Sequence, residues 1–267
     1  MTLSVITINY NNKTGLLKTI NSVIGQKFKD FEYLIIDGNS SDGSIEVLTE
    51  YSGRVTFWIS EPDTGIYNAM NKGILKAKGD YLLFLNSGDW FCTNNVLSDF
   101  TKDIEPYDII YGNQYLYFPG GNIEENKFSS LLTFNFFAFR NSLPHQATLI
   151  KRALFSKHGL YDEQLKMVSD WKFFIMAIYK WNCTYLHKAV FIVYFNKEGI
   201  SANPKFDNLI DQEQESVLKA EFPNFFLYKK DVELRRRFLF YYKYSRATKI
   251  LKKLGILKKF KYEIDYQ

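Results

Sequence analysis

Four aspartates in this sequence fall where an apolar run ends or a new pattern begins: Asp37, Asp42, Asp63 and Asp89. A carboxylate in such a place can take a proton from a nucleophile, ligate a hard cation, or accept hydrogen bonds from a ribose or a base. The first apolar run ends in Asn9 and the second in Asp37-Gly38. The third runs into Glu61-Pro62-Asp63, and the fourth ends in Asn86-Ser87-Gly88-Asp89. Four runs thus deliver carboxylates or amides to one edge, which is the main reason to expect a site there. An acidic edge repels a diphosphate unless a divalent cation, Mg²⁺ or Mn²⁺, bridges the two. One or two carboxylates plus phosphate oxygens suffice to hold such an ion. Backbone cradling of phosphate is not indicated. The turn GNSSDGS lacks the Gly-Lys-Ser/Thr ending of a Walker loop, and no G-x-G-x-x-G follows the first run.

Each acid also has a plain structural use. Asp37-Gly38 is sound turn chemistry, Asp42 a helix cap, Asp63 before Thr64-Gly65 a helix start, and Asp89 a tight turn. Asp170 reads as a helix N-cap or as a first-turn acid that complements a helix dipole. His145 in Pro144-His145-Gln146 reads as a satisfied structural histidine. His158 and His187 receive no role. Cys92 and Cys183 lack an activating neighbour and read as core residues.

The elements that must position these groups alternate. Leu3–Asn9 is a buried strand and Thr14–Ile24 has helical spacing; Glu32–Asp37 is a strand, followed by a helix through Glu46–Tyr51. Val55–Ile59 gives a third strand, Ile66 to Lys78 a helix stopped by Gly79, and Asp80–Asn86 a fourth strand. Continuously apolar strands alternating with helices predict an α/β fold with a mainly parallel central sheet covered on both faces. Beyond Trp90 the pattern loosens. Asp108–Tyr111 is a strand, Tyr115–Phe118 with Gly120-Gly121 a hairpin, and Phe128–Arg140 is aromatic and unclassified. Gln146–Ile150 is strand-like, Lys151–His158 a short helix ended by Gly159, and Ser169–Trp181 an amphipathic helix. Thr184–Phe195 is one or two strands, and the chain is helical from Asn203 onward.

These residues resemble a family. SVITINYNN, LIIDGNSSDGS, SEPDTGIYNAMNKGI and AKGDYLLFLNSGDWF are similar to the nucleotide-binding half of family 2 glycosyltransferases with the Rossmann-like GT-A fold. The likeness continues through PHQATLIKRALFSKHGLYDEQLK, SDWKFFI and EGIS, and covers roughly residues 1 to 205 in the family's order. It implies a catalytic domain over residues 1–205, with a nucleotide-sugar half at 1–90 and an acceptor half at 91–205. It also implies that Thr7, Asn9, Asp37 and Asp42 line the nucleotide pocket, with Asp37 near the base. Asp63 and Lys72 would line the donor, Lys72 meeting phosphate charge. Asn86–Asp89 occupies the place of the family's D-x-D metal motif, with Asn86 and Ser87 on the donor and Asp89 as the metal-ligating acid. The first acid of that motif is an amide here. His145 matches a polar position between the two halves, as a contact to donor diphosphate or metal or as a structural histidine, and Asp170 the position of the catalytic base that takes the acceptor's proton. The implied activity is inverting transfer of a sugar from a nucleotide-sugar, with UDP as the nucleotide, to a saccharide hydroxyl. The acceptor would be carried on a polyprenyl diphosphate lipid, as in O-antigen, capsule or exopolysaccharide assembly. Loss of catalysis with the fold kept, a nucleotide-sugar-binding module, is the alternative that Asn86 leaves open. A nucleotidyltransferase would need a basic, Gly-rich phosphate loop early in the chain, which this sequence lacks.

Bulk properties set the surroundings. The chain of 267 residues is 46% hydrophobic and 24% charged, ordinary for a globular protein, while 18% aromatic is high. That surplus suits packing, sugar stacking or a membrane interface. Two cysteines fit a reducing, cytoplasmic compartment. No leader and no spanning run is read. The net charge of +5 is concentrated in a helical, basic and aromatic extension over residues 206–267. There Ile250, Leu251, Leu254 and Leu257 share one side, flanked by Lys249, Lys252, Lys253 and Lys259. This segment predicts a peripheral contact with anionic lipid at the inner face of the cytoplasmic membrane. No nucleic-acid-binding pattern is present.

Overall fold

A computed structural model describes residues 2–139, 141–199 and 203–245. Arg140, the last two residues of EGIS and the amphipathic segment 249–259 lie outside the described residues.

The parallel half forms as the apolar runs require. Strands β1 (Leu3–Asn9), β2 (Phe31–Asp37), β3 (Phe57–Ser60) and β4 (Tyr81–Phe84) lie side by side in the order β3-β2-β1-β4, and every pairing among them is parallel. Successive residues of β1 point to opposite faces, and both faces are covered. Leu3 and Val5 pack with Leu16, Ile20 and Val23 of α1 (Lys13–Ile24) and Val47 and Leu48 of α2 (Ser44–Glu50). On the other face Ile6 meets α3 (Ile66–Lys76) at Gly73. A Cβ there would lie 2.6 Å from the Ile6 side chain, so glycine lets this helix reach the sheet. The crossovers place the carboxyl ends of all four strands on one edge, as the sequence predicts.

Beyond β4 the sheet is mixed rather than mainly parallel. A two-residue β5 (Trp90–Phe91) and α4 (Val96–Phe100) lead to β6 (Ile109–Tyr117), which makes a hairpin with β7 (Ile123–Asn126). After α5 (Phe134–Ala138), β8 (Thr148–Lys151) inserts antiparallel between β4 and β6. Next come α6 (Ala153–His158) and α7 (Ser169–Tyr179), the latter carrying Asp170 in its first turn. The single long β9 (Tyr185–Asn196) pairs parallel to β6 and antiparallel to β5. A register shift lets Phe191 and Tyr194 both stack on Tyr115, at 4.2 and 5.0 Å between ring centroids, and Trp90 stacks on Tyr194 at 5.0 Å. Much of the aromatic surplus is consumed in such ring-on-ring packing.

Helices α8 (Asp207–Glu221) and α9 (Pro223–Tyr244) follow. The chain divides into two compact units between Gln214 and Glu215. In the second unit the charges of α9 pair along the helix, as in Arg235–Asp231 at 2.8 Å, while Leu227, Tyr228 and Leu234 are exposed. Among the described residues no helix is long and apolar enough to cross a membrane.

Candidate functional site

The site is assembled at the carboxyl edge from the ends of β1, β2 and β4 and the start of α7. Asp37 ends β2 and is fully buried. Its Oδ1 accepts from Asn9 Nδ2 (2.7 Å) and Ser40 Oγ (2.6 Å), and its Oδ2 from Ser40 N (2.9 Å) and Ser60 Oγ (2.7 Å). Those four donors use the full lone-pair capacity of a carboxylate, so Asp37 knots three strand ends together. Asn9 donates from its amide, but its Oδ1 is buried without a partner. Asp42 caps two helices at once, accepting from Lys13 N (2.7 Å) with one oxygen and from Ser44 N and Oγ (3.1 and 2.6 Å) with the other. Burial opposes its ionisation, yet these hydrogen bonds outweigh it and hold its carboxyl below the usual range.

Asp63 and Lys72 flank the loop into α3. Asp63 Oδ1 accepts from Gly65 N at 2.9 Å, while Oδ2 has no partner among the described residues and lies against Gly38. Tyr10, 66% exposed, reaches the same spot; a Cβ on Gly38 would meet both side chains. Lys72 is tied to the Pro62 carbonyl and the Glu61 carboxylate, each at 2.8 Å. Thr7 stands apart. It is fully buried, its hydroxyl meeting Tyr33 Oη (3.0 Å) and the Leu85 carbonyl (2.8 Å) inside the sheet, which leaves it no surface toward a ligand.

The turn Asn86–Asp89 is fastened from α1. Asn12 donates to the Ser87 carbonyl (3.0 Å), and Thr19 Oγ1 accepts from Gly88 N (3.0 Å) and donates to the Asp89 carbonyl (2.7 Å). Asp89 is 5% exposed, and its Oδ1 accepts from Asn196 N at 2.9 Å; Oδ2 has no partner among the described residues. Burial pushes its carboxyl up to about 7, against the smaller opposing effects of the Asn196 hydrogen bond and nearby His145. Asn86 Oδ1 is buried and unpartnered, while its Nδ2 meets His145 Nε2 at 3.2 Å. His145 Nδ1 in turn meets Asp170 Oδ2 at 3.2 Å, and Tyr67 donates to Asp170 Oδ1 at 2.8 Å. A carboxylate only accepts, so Nδ1 carries the hydrogen and Nε2 accepts from Asn86. Burial works against the Asp170 anion, but the hydrogen bonds from His145 and the Tyr67 hydroxyl outweigh it and lower its pKa.

The structure therefore gathers Asn9, Asp37, Asp63, Asn86, Ser87, Asp89, His145 and Asp170 at one edge and sets Thr7 inside the sheet. Asp42 sits at helix starts and Lys72 on its own ion pair. Missed were Tyr10, Ser40, Ser60, Tyr67 and Asn196. Tyr10, Ser40, Ser60 and Tyr67 lie within runs already singled out, whereas Asn196 is 107 residues from Asp89 and carries no local signal. His187 meets Asn113 at 3.1 Å and His158 stacks on Trp181, outside this edge. The Cys92 and Cys183 thiols are pushed up to about 12 and about 11 by burial, consistent with core packing.

A divalent cation fits this donor set. Among the described residues Asp89 is a buried carboxylate with no ion-pair partner, and the side-chain Oδ1 of Asn86 is orphaned. No group of three or more His, Cys, Asp or Glu able to hold a metal occurs among the described residues. Protein oxygens here would therefore share the ion with phosphate and water.

Residues 4–158 match the Glycosyl transferase family 2 pattern. The chain belongs to that family. An uncharacterised glycosyltransferase of Mycobacterium tuberculosis is 33% identical over 180 residues, covering 66% of this chain and 68% of the relative. A PGL/p-HBAD biosynthesis glycosyltransferase of Mycobacterium bovis is 25% identical over 210 residues, covering 76% and 80%. Among solved structures, S. aureus TarS 1–349 in complex with UDP-GlcNAc superposes with a TM-score of 0.65 at 19% identity, covering 95% of this chain and 76% of that one. The full TarS structure gives 0.60 at 18% identity, and this chain spans 44% of it. The Pyrobaculum calidifontis mannosyltransferase PcManGT, with GDP-Man and Mn²⁺, gives 0.58 at 11% identity, covering 95% and 79%. The fold of this glycosyltransferase is thus the GT-A type.

Proposed function

We propose that this family 2 glycosyltransferase transfers a sugar from a UDP-sugar to a hydroxyl of a saccharide acceptor, with inversion and with Mn²⁺ or Mg²⁺ at Asp89. The observation that carries the reading is an unpaired buried carboxylate, Asp89, beside an Asn86–His145–Asp170 chain of hydrogen bonds. Complexes of TarS with UDP-GlcNAc and of PcManGT with GDP-Man and Mn²⁺ support a nucleotide-sugar and a cation on this fold.

In this reading Tyr10 offers a ring to the base, and the free oxygen of Asp63 and the orphaned Asn9 carbonyl meet nucleoside hydroxyls or N–H groups. Asp37, with its oxygens already taken, fixes the slot from below. Asp89 and the Asn86 side-chain carbonyl would hold the cation, which would supply charge neutralisation for the leaving diphosphate. Asp170 is kept ionised by its low pKa and by its place in the first turn of α7. As the acceptor oxygen bonds to the anomeric carbon, its proton passes to Asp170. The bond from that carbon to the phosphate oxygen breaks, and the electron pair leaves with UDP. One displacement inverts the centre.

A lipid-linked acceptor at the inner face of the cytoplasmic membrane, in O-antigen, capsule or exopolysaccharide assembly, completes the proposal. The exposed Leu227, Tyr228 and Leu234 among the basic residues of α9, and the basic run that follows, support it. Sedimentation with anionic but not neutral liposomes is the expected result, and no sedimentation removes the membrane from the proposal.

The deciding experiment is calorimetric titration of UDP with and without Mn²⁺, on the natural chain and on Asp170→Asn. We expect Mn²⁺-dependent UDP binding in both. Release of UDP from the productive UDP-sugar should fall by about 10³-fold or more in Asp170→Asn, the scale expected for loss of a general base. No binding of UDP under either condition overturns the UDP reading.

A further inference from the structure

Helix α7 starts without a cap of its own. Val168 precedes it and offers no side-chain acceptor, although the first N–H groups of a helix need partners. Its first turn is met instead by Tyr67 of α3, a residue 103 positions away and only 5% exposed. The Tyr67 O–H donates to Asp170 Oδ1 at 2.8 Å. With His145 on Oδ2, the carboxylate cannot turn about its own bond without losing a partner.

The same helix grips the segment that leads into α7. Asn71 pairs with both the N–H and the carbonyl of Tyr161, at 3.0 and 2.9 Å. Asn71 and Asn68 also donate to the two oxygens of Glu163, at 2.8 and 2.9 Å. At its start α3 follows the Glu61–Gly65 loop, to which Lys72 is tied back. One helix thus touches the nucleotide-sugar side through that loop and the proton acceptor through Tyr67.

We propose that Tyr67 is a positioning residue: it ties α3 to the first turn of α7 and fixes the rotation of the Asp170 carboxylate. Through Tyr67, α3 sets the distance and angle of the base relative to the bound nucleotide-sugar. The inference rests on Asp170 acting as the base of the proposed transfer. The hydroxyl acts only through Asp170 and touches no reacting atom.

The test is Tyr67→Phe, which removes one oxygen and keeps the ring against Tyr161, with Asp170→Asn and the double variant completing a cycle. Amide exchange of the first turn of α7 should speed up by about 5- to 10-fold, the scale of a lost side-chain hydrogen bond. UDP affinity should stay within about two-fold. Turnover of the productive UDP-sugar should fall by about 10- to 100-fold in kcat, with its KM unchanged, the scale of a hydrogen bond to a charged group. In the Asp170→Asn background the added Tyr67→Phe change should cost no further turnover. Faster exchange with unchanged turnover would reduce Tyr67 to a structural tie and overturn the proposal, as would an undiminished effect without Asp170. Exchange and turnover that both stay within two-fold would overturn it entirely. If the natural chain turns over no UDP-sugar, it is the transfer reading that fails. Exchange alone then decides whether Tyr67 holds the turn that carries Asp170.

Discussion

Asp37 and Asp89 lie at the ends of the two strands that flank β1, buried at the same edge, yet the protein treats them oppositely. Asp37 is met by four donors from Asn9, Ser40 and Ser60, all within the first crossover units. Asp89 is met by one, the N–H of Asn196 at the far end of β9, and burial pushes its carboxyl up to about 7. A buried anion with its hydrogen bonds complete is scaffold, and one left short of them is waiting for a positive charge. The number of protein donors on each acid therefore separates the groups that build the site from the group that meets the ligand, although all are Asp at strand ends in the sequence.

The contrast is broken or sharpened most directly at Asp89. Asp89→Ala should weaken Mn²⁺-dependent UDP binding by about 100-fold or more while leaving the ligand-free protein as stable as before or slightly more so, since an uncompensated buried charge is removed. Calorimetry and urea unfolding read the two effects. A large loss of stability without loss of binding would make Asp89 scaffold. Asp37→Asn should do the reverse. An amide NH₂ would face hydroxyl and N–H donors, so about 3 kcal/mol of stability is lost, and UDP affinity falls only as far as the fold does. A stable Asp37→Asn protein that no longer binds UDP would return Asp37 to direct contact with the base, as the family resemblance implies.

How much of this was legible varies along the chain for a physical reason. In residues 1–90 each strand pairs with one reached by a short crossover, so apolar runs and their polar ends reveal both fold and edge. Leu3–Asn9 comes out with its predicted limits, and the other elements of that half shift by a few residues at most. Past Trp90 the pairings are long-range and mixed in direction. β8 inserts antiparallel beside β4, about seventy residues later in the chain, and the strand predicted at Asp108–Tyr111 extends to Tyr117 because β9 supports it. The candidate acids were readable as a set, but their division of labour was not. Whether Asp37 is saturated depends on Ser60, which opens the run SEPDTGIYNAMNKGI without pointing to Asp37, and whether Asp89 is left open depends on Asn196, which has no sequence signal of its own. Thr7 shows the converse: the resemblance implies a ligand contact there, whereas the neighbouring Tyr33 hydroxyl and Leu85 carbonyl occupy it.

Asp42 gives the smallest expected effect and the sharpest test of that division. It holds Lys13 N at the start of α1 and Ser44 at the start of α2, so it belongs with Asp37 on the scaffold side. Its exposure to solvent keeps the contribution near that of an ordinary helix cap, about 1 kcal/mol. Because its folded pKa lies below the unfolded value, that contribution is fully present above the usual carboxylate pKa of about 4 and is lost as pH falls through the lower folded value. Urea unfolding of Asp42→Ala should therefore show a deficit at pH 7 that narrows at acid pH, with UDP affinity unchanged. A protein of natural stability whose UDP binding is lost would place Asp42 with Asp89, among the acids held open for the ligand.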